Sequence, residues 1–416
     1  MFSAKTHTRL HRDWASGPNH PATILVVGWA TNPGEPLLLE ALANHPGCER
    51  LIFVPLNGAG RENMKKFARD LERAGNMSWF DWLQTSARAG SVLGYDITSL
   101  LDRRGGPSLG SKRIEQRLIE HFKKTLPTRV ATQDDQLMIN LHGANMEMAY
   151  FVRRHPKMLH LSDPASAPMV DDKRMLPTIG RIVREESGIK VVPRCTYVQD
   201  LASVEAFMGE HGLERIVLKS PYSSGGHGIY RIARGADGHL WGEHPDRSFK
   251  PSKEYPRHFA LTDDFFTGTG MLAMEWLEPE RGDMRIVMLG RDVVGGYTRH
   301  AQNSWLCNVA QGGSVAPLDP RRDLAVRDRR KLNALGQYFA KLGLHHTAVD
   351  LLADTRGERF VSEINIGNTD DLVELEAHWG GRNASAGRLS YPDQIATKIL
   401  QSYREHKAAG EKGLYL

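Results

Sequence analysis

Asp350 stands inside the apolar run HTAVDLLA, and Glu363 and Asn365 follow two residues apart in the next apolar run, FVSEIN. An ionised carboxylate in an apolar strand is costly unless it is paired or bound to a cation. Residues two apart on an extended chain share a face, and a neighbouring antiparallel strand can carry Asp350 to them. Two carboxylates and an amide oxygen are hard donors, suited to a Mg²⁺ ion that keeps its other positions for nucleotide phosphates and water. A buried ion pair between Asp350 and an arginine is the competing arrangement. Upstream, Lys219 ends the run RIVLK and leads into Ser223, Ser224, Gly225, Gly226, His227 and Gly228. This loop is longer than a hairpin needs. Its glycines let main-chain N–H groups close over an anion, and a strand-anchored lysine adds a point charge for the same phosphates. Taken alone, it is equally well a flexible hairpin. Asp283 and Arg285 in GDMR share a face, and a strand from Asp292 delivers Arg299 at its far end. Each of these charges, taken singly, is also what a solvated sheet face carries.

These side chains need a scaffold, and its beginning reads as α/β. The run ATILVVG from Ala22 precedes Leu37, Leu38, Ala41 and Leu42 at helical spacing, and LIFVPL follows, as for parallel strands with a helical crossover. The intervening loop, residues 28–34, lacks the GxGxxG spacing of a dinucleotide site. Ile114, Leu118, Ile119 and Phe122 form an apolar stripe on an otherwise charged helix, and LMINLHG is a further strand. A Rossmann-like domain over residues 1–165 is expected. The GPSLG at 106–110 matches the GxSxG of nucleophile elbows, but it sits in a basic loop with no strand directly before it, so a chance match is expected. Further on, Leu176, Ile179, Ile182 and Val183 mark a helix in which Pro177 fits only in the first turn or at a kink. Leu332, Leu335, Phe339 and Leu342 mark the helix that leads to Asp350.

The 416 residues leave room for two to four folding units at roughly 100 to 200 residues each. Three widely spaced cysteines make neither a disulfide framework nor a zinc knuckle and fit a reducing compartment. The net charge of +5 comes from 54 basic and 49 acidic residues spread along the chain, with no basic block interleaved with aromatics. Nucleic acid is therefore not the expected partner. No stretch reaches the ~18 to 20 apolar residues of a membrane helix, and the first 22 residues lack the apolar core of a signal peptide. A cytoplasmic protein without a membrane partner is expected.

The order Lys173, Lys219 with SSGGHG, MEWLE, GDMR, Arg299, NVAQGG and then Asp350 with Glu363-x-Asn365 resembles the ATP-grasp superfamily of ADP-forming carboxylate–amine ligases, over about residues 165–370. The GDxR, NxxxGG and ExN segments are similar to those of glutathione synthetase and the glutamate-adding peptide ligases. Length and first domain also resemble the peptide ligases of peptide-antibiotic pathways, the pheganomycin type. The resemblance implies a small lobe with the glycine loop over residues 166–270 and a large lobe with the metal site and a C-terminal extension over 271–416. It implies ATP and one or two Mg²⁺ ions as cofactors. Lys173 and Lys219 would contact the phosphates, and Ser223, Ser224, Gly225, Gly226 and Gly228 would close over them. The backbone at Glu275, Trp276 and Leu277 would meet the adenine edge, with Asp283 near the ribose. Asp350, Glu363 and Asn365 would hold metal, and Arg285 and Arg299 would face the transferred phosphoryl group beside Asn308. Two departures stand out: Leu306 occupies a position where relatives commonly carry arginine, and INIGNTDD replaces a Pro-Gly turn after the ExN.

The implied reaction joins a carboxylate, activated as an acyl phosphate, to an amine, with an amino acid or peptide as substrate and a homodimer among the expected assemblies. A phosphotransferase acting on a hydroxyl is the alternative on the same scaffold.

Overall fold

The computed structural model describes residues 22–28, 34–55, 91–102, 108–125, 128–131, 136–140, 159–222, 226, 228–244, 258–266, 268–302, 305–308, 313–366, 370–385 and 389–408. The chain divides into two compact units. The first gathers Met1–Ala167, Phe339–Thr347 and Ile366–Leu416, and the second Pro168–Tyr338 and Ala348–Asn365.

The first unit is built on β1 (Ala22–Gly28), β2 (Cys48–Pro55), β3 (Ser91–Asp96), β4 (Thr128–Ala131), β5 (Leu137–Asn140) and β6 (Leu159–His160), in sheet order β4-β3-β2-β1-β5-β6. Strands β2, β1, β5 and β6 are parallel, while β3 and β4 extend one edge antiparallel. Helix α1 (Glu35–Ala43) makes the crossover from β1 to β2. Ile24, Leu25 and Val26 are all fully buried, as a parallel strand covered on both faces requires. The stripe on α2 (Ser111–Lys124) buries Ile114 and Leu118 and stacks Phe122 on Phe53 of β2, with ring centroids 5.7 Å apart. Ser108 of the GPSLG segment is an exposed loop residue whose hydroxyl accepts the N–H of Gly110, the residue just before α2. Gly106 and Pro107 lie outside the described residues.

The second unit carries two sheets. Its first comprises β7 (Cys195–Val198), β8 (Arg215–Lys219), β9 (Ile229–Arg234), β10 (Leu240–Glu243), β11 (His258–Ala260) and β12 (Met271–Glu275), in order β11-β10-β9-β8-β12-β7, each pair antiparallel. Strand β12 pairs with β8 and β7 in this sheet, whereas the division expected from the sequence starts a new lobe at residue 271. Helix α3 (Leu176–Ser187) accommodates Pro177 in its first turn, and Gly188 ends it in the left-handed region at φ 72°. Gly180 on α3 lies so near Val192 that a Cβ there would sit 2.0 Å from its Cγ2. Helix α4 (Leu201–His211) starts with a reciprocal Asp200–Ser203 cap and buries Val204 and Phe207 against Ile216 and Leu218 of β8.

The second sheet comprises β13 (Asp283–Leu289), β14 (Asp292–His300), β15 (Ser314–Pro317), β16 (His346–Ala353) and β17 (Arg359–Ile366), in order β15-β14-β13-β16-β17. Helix α5 (Val326–Lys341) precedes β16, and a tight turn at residues 354–358 joins β16 to β17. Two further helices, α6 (Asp370–Ser385) and α7 (Tyr391–Ala408), group with the first unit and pack against α1. The sequence-based division instead attaches these residues to the larger lobe. Among the described residues, no helix is long and apolar enough to cross a membrane.

Candidate functional site

Strand alternation sets Asp283 and Arg285 on one face of β13, and the β13–β14 register places Asp283 directly opposite Arg299. Strand β16 flanks β13 on its other side and brings Asp350 to the same cluster. Arg285 grips Asp350 through two hydrogen bonds, Nε to Oδ1 at 2.6 Å and Nη2 to Oδ2 at 2.7 Å. Arg299 donates to Asp350 Oδ2 at 2.8 Å and also to Asp283. The sequence reading puts Asp283 near a ribose; the structure shows it buried and accepting a hydrogen bond from Arg299. Burial works to raise the pKa of Asp350, but Arg285 and Arg299 override it and hold the carboxyl well below its usual range. Burial instead dominates at Asp283, which is pushed up despite Arg299. Two guanidiniums and two carboxyl groups so share one desolvated cluster.

Lys219, at the end of β8, is buried and donates from Nζ to the carbonyl oxygen of Ser362 on β17 at 2.8 Å. Burial pushes its pKa down, partly offset by Glu363. Lys173 Nζ lies 3.4 Å from Glu363 Oε1. Strands β8 and β9 pair antiparallel across the glycine loop, and the N–H of Ser220 reaches the carbonyl oxygen of Gly228 at 2.8 Å, closing the loop's neck. Gly226 and Gly228 hold φ values of 89° and 67°, which favour glycine. Ser223, Ser224, Gly225 and His227 lie outside the described residues.

Several of these groups line one cavity. Its lining includes the polar side chains Lys219, Asp283, Arg299, Asn308, Asp350 and Glu363 and the apolar side chains Val217, Ile229, Met274, Trp276, Leu277 and Leu306. Trp305 also lines it and packs on Trp276 with centroids 5.4 Å apart. Arg215 and Arg231 lie over the Trp276 ring at 5.5 and 5.8 Å. Of the three hinge residues expected at an adenine edge, Trp276 and Leu277 line the cavity. Glu275 does not: Arg194 holds its carboxylate at 2.7 Å, and its N–H donates to the Arg194 carbonyl at 2.9 Å. Leu306 is a buried apolar part of the lining, and Arg299 lines the same cavity. Arg285 reaches the cluster through Asp350.

The sequence reading missed the apolar walls. Val217, Ile229 and Met274 look like ordinary strand residues, and only the strand pairing turns them to one side. The register that sets Met274 opposite Val217 is the signal that could have found them.

Both oxygens of Asp350 are engaged by guanidiniums, the ion-paired arrangement open from the sequence. Among the described residues, no three His, Cys, Asp or Glu side chains form a group that could hold a metal ion. The donors that fit a hard cation are Glu363, whose Oε1 lies 3.4 Å from Lys173 Nζ, and Asn365, two residues on along β17. The buried Nδ2 of Asn365 has no hydrogen-bond partner among the described residues, and neither do Asp283 Oδ1 and Arg299 Nε. Such orphaned atoms call for a ligand or water.

By structure the chain is similar to a RiPP-associated ATP-grasp ligase of Chryseobacterium gregarium solved with ADP and a leader and core peptide, at 12% identity and TM-score 0.48, over 92% of this chain and 97% of that chain. It is similar to D-cycloserine synthetase at 11% identity and TM-score 0.47, over 92% and 100% of the two chains. A macrocyclase of Microcystis aeruginosa bound with a precursor peptide matches at 14% identity and TM-score 0.46, over 91% and 99%. No protein-family model and no curated protein sequence matches the chain.

Proposed function

We propose that this chain is an ATP-dependent ligase of the ATP-grasp type, which joins a carboxylate to an amine and releases ADP and phosphate. The observation that carries the reading is one cavity lined both by the apolar Trp276, Leu277 and Met274 and by the charged Lys219, Arg299, Asp350 and Glu363. An apolar slot of this kind suits a nucleobase, and convergent cations suit phosphates. The order of the motifs along the chain supports the same reading.

In this scheme Lys173 and Lys219 bind the phosphates, and the glycine loop excludes water above them. A carboxylate oxygen of the substrate attacks the γ-phosphorus, the bond to the β–γ bridging oxygen breaks, and ADP leaves. The amine then attacks the acyl carbon, phosphate departs, and a proton leaves the amine nitrogen. Arg299 and Arg285 stabilise charge on the moving phosphoryl group, so little covalent help from the protein is needed. Glu363 and Asn365, with Asp350, would hold a Mg²⁺ ion, which would supply neutralisation of phosphate charge when bound. The substrate is an amino acid or a peptide, and residues 1–165 form the domain on the substrate side.

The test is incubation with ATP, Mg²⁺, hydroxylamine and a panel of amino acids and short peptides. A hydroxamate formed with stoichiometric ADP is the expected result. A phosphate ester without hydroxamate would identify a phosphotransferase, and AMP with pyrophosphate would overturn the mechanism.

A further inference from the structure

The charged side chains of the site are engaged with one another. Asp350 accepts from Arg285 at 2.6 and 2.7 Å, one bond on each oxygen, and from Arg299 on Oδ2 at 2.8 Å. Arg299 also donates to Asp283, and Lys173 Nζ lies 3.4 Å from Glu363 Oε1. The carboxylates that would hold a cation are therefore partnered by the same arginines and lysine that would face phosphates.

Asp350 is the centre of this arrangement. A carboxylate offers about four lone-pair positions, and guanidinium N–H groups already take three of them. The side chains of Asp350 and Arg299 are 4% exposed and that of Arg285 11%, so water screens these charges little. A cation that claimed Asp350 alone would strand two buried guanidiniums. A polyphosphate that claimed the guanidiniums alone would strand a buried carboxylate. Breaking a buried pair from one side is costly because a charge is left without its partner. A cation and a polyphosphate together strand neither, since each supplies the partner that the other takes away.

We infer that Arg285 and Arg299 withhold Asp350 from a divalent cation, and that Asp350 withholds both arginines from phosphates, so that cation and polyphosphate bind this site cooperatively by exchanging partners. The coupling is reciprocal, as linkage requires. Its phosphate half rests on the nucleotide reading of the cavity; its cation half rests on the carboxylate cluster alone.

The test uses the full chain, with Mn²⁺ and ATP as the probes, and reads binding without turnover. Arg285→Lys keeps the charge but loses the planar fork that grips both oxygens of Asp350. Without nucleotide it should bind Mn²⁺ about tenfold more tightly than the wild type, measured by the electron paramagnetic resonance of free Mn²⁺. Adding Asp350→Asn to that variant should abolish the gain. Equal binding by Arg285→Lys and the wild type, or a gain that survives Asp350→Asn, would overturn the inference. Asp350→Asn alone should bind ATP in EDTA about tenfold more tightly than the wild type by calorimetry, because a neutral amide holds the guanidiniums less strongly. Equal or weaker binding would sink the phosphate half. Arg285→Lys decides the inference by itself if Asp350→Asn does not fold. If the wild type binds no ATP even with Mg²⁺, the nucleotide reading falls and takes the phosphate half with it, while the Mn²⁺ titration still decides the cation half.

Discussion

Strand β16 buries two titratable side chains four residues apart and treats them in opposite ways. His346, at its start, is buried and pushed down by that burial, an effect only partly offset by Asp371, so the ring is kept neutral. Its chain neighbour His345 is pushed down to about 4 by burial. Asp350, in the middle of the strand, stays ionised in the grip of two arginines. Where burial outweighs the nearby opposite charge a group favours its neutral form, whereas a group that loses water between two opposite charges keeps its own. Only the second kind leaves a field that a phosphate or a cation can feel. The lesson is that buried polarity marks a site when its charge has been retained, and not merely when a polar residue is inside.

The contrast is broken most sharply at Asp350. Asp350→Ala leaves Arg285 and Arg299 buried without their shared acceptor, and should cost about 3–5 kcal/mol in urea denaturation. A cost below about 1 kcal/mol would mean that the arginines find water and that the cluster is not desolvated. The histidine end is probed by pH. Above 6.5 both the folded and the unfolded chain keep these rings neutral. As pH falls from 6.5 through about 4, the unfolded chain takes up protons that the folded chain refuses at His345, so stability is lost. The denaturation midpoint should therefore fall between pH 7 and pH 5, and His345→Gln should flatten that slope; an unchanged slope would show that the ring is not the proton acceptor. The smallest effect belongs to a charge pair that never left water. Arg181 and Glu185 on α3 are 63% and 60% exposed, and Arg181→Ala should cost only about 0.3–0.5 kcal/mol.

Much of this site was legible because Asp350 breaks an apolar run and because Glu363 and Asn365 keep the period of a strand. The buried strands β1, β2 and β5 were legible for the same reason, as continuous apolar runs. Register was not legible. That Asp283 meets Arg299 follows from the pairing of β13 with β14, and that Asp350 meets both arginines follows from β16 inserting beside β13, neither of which any local pattern encodes. The slot beside Trp276 escaped for a similar reason, since its walls come from four separate stretches of chain whose residues are individually ordinary. The grouping of residues 366–416 with the first unit was equally hidden: an amphipathic helix announces that it will bury a face, and not which partner will cover it.

The Lys219 ammonium rests on the peptide oxygen of Ser362. An ammonium carries three N–H donors, and this bond uses one of them. The bond holds the long Lys219 side chain across to β17, so the rotamer freedom that a lysine usually surrenders on binding is already surrendered in the fold.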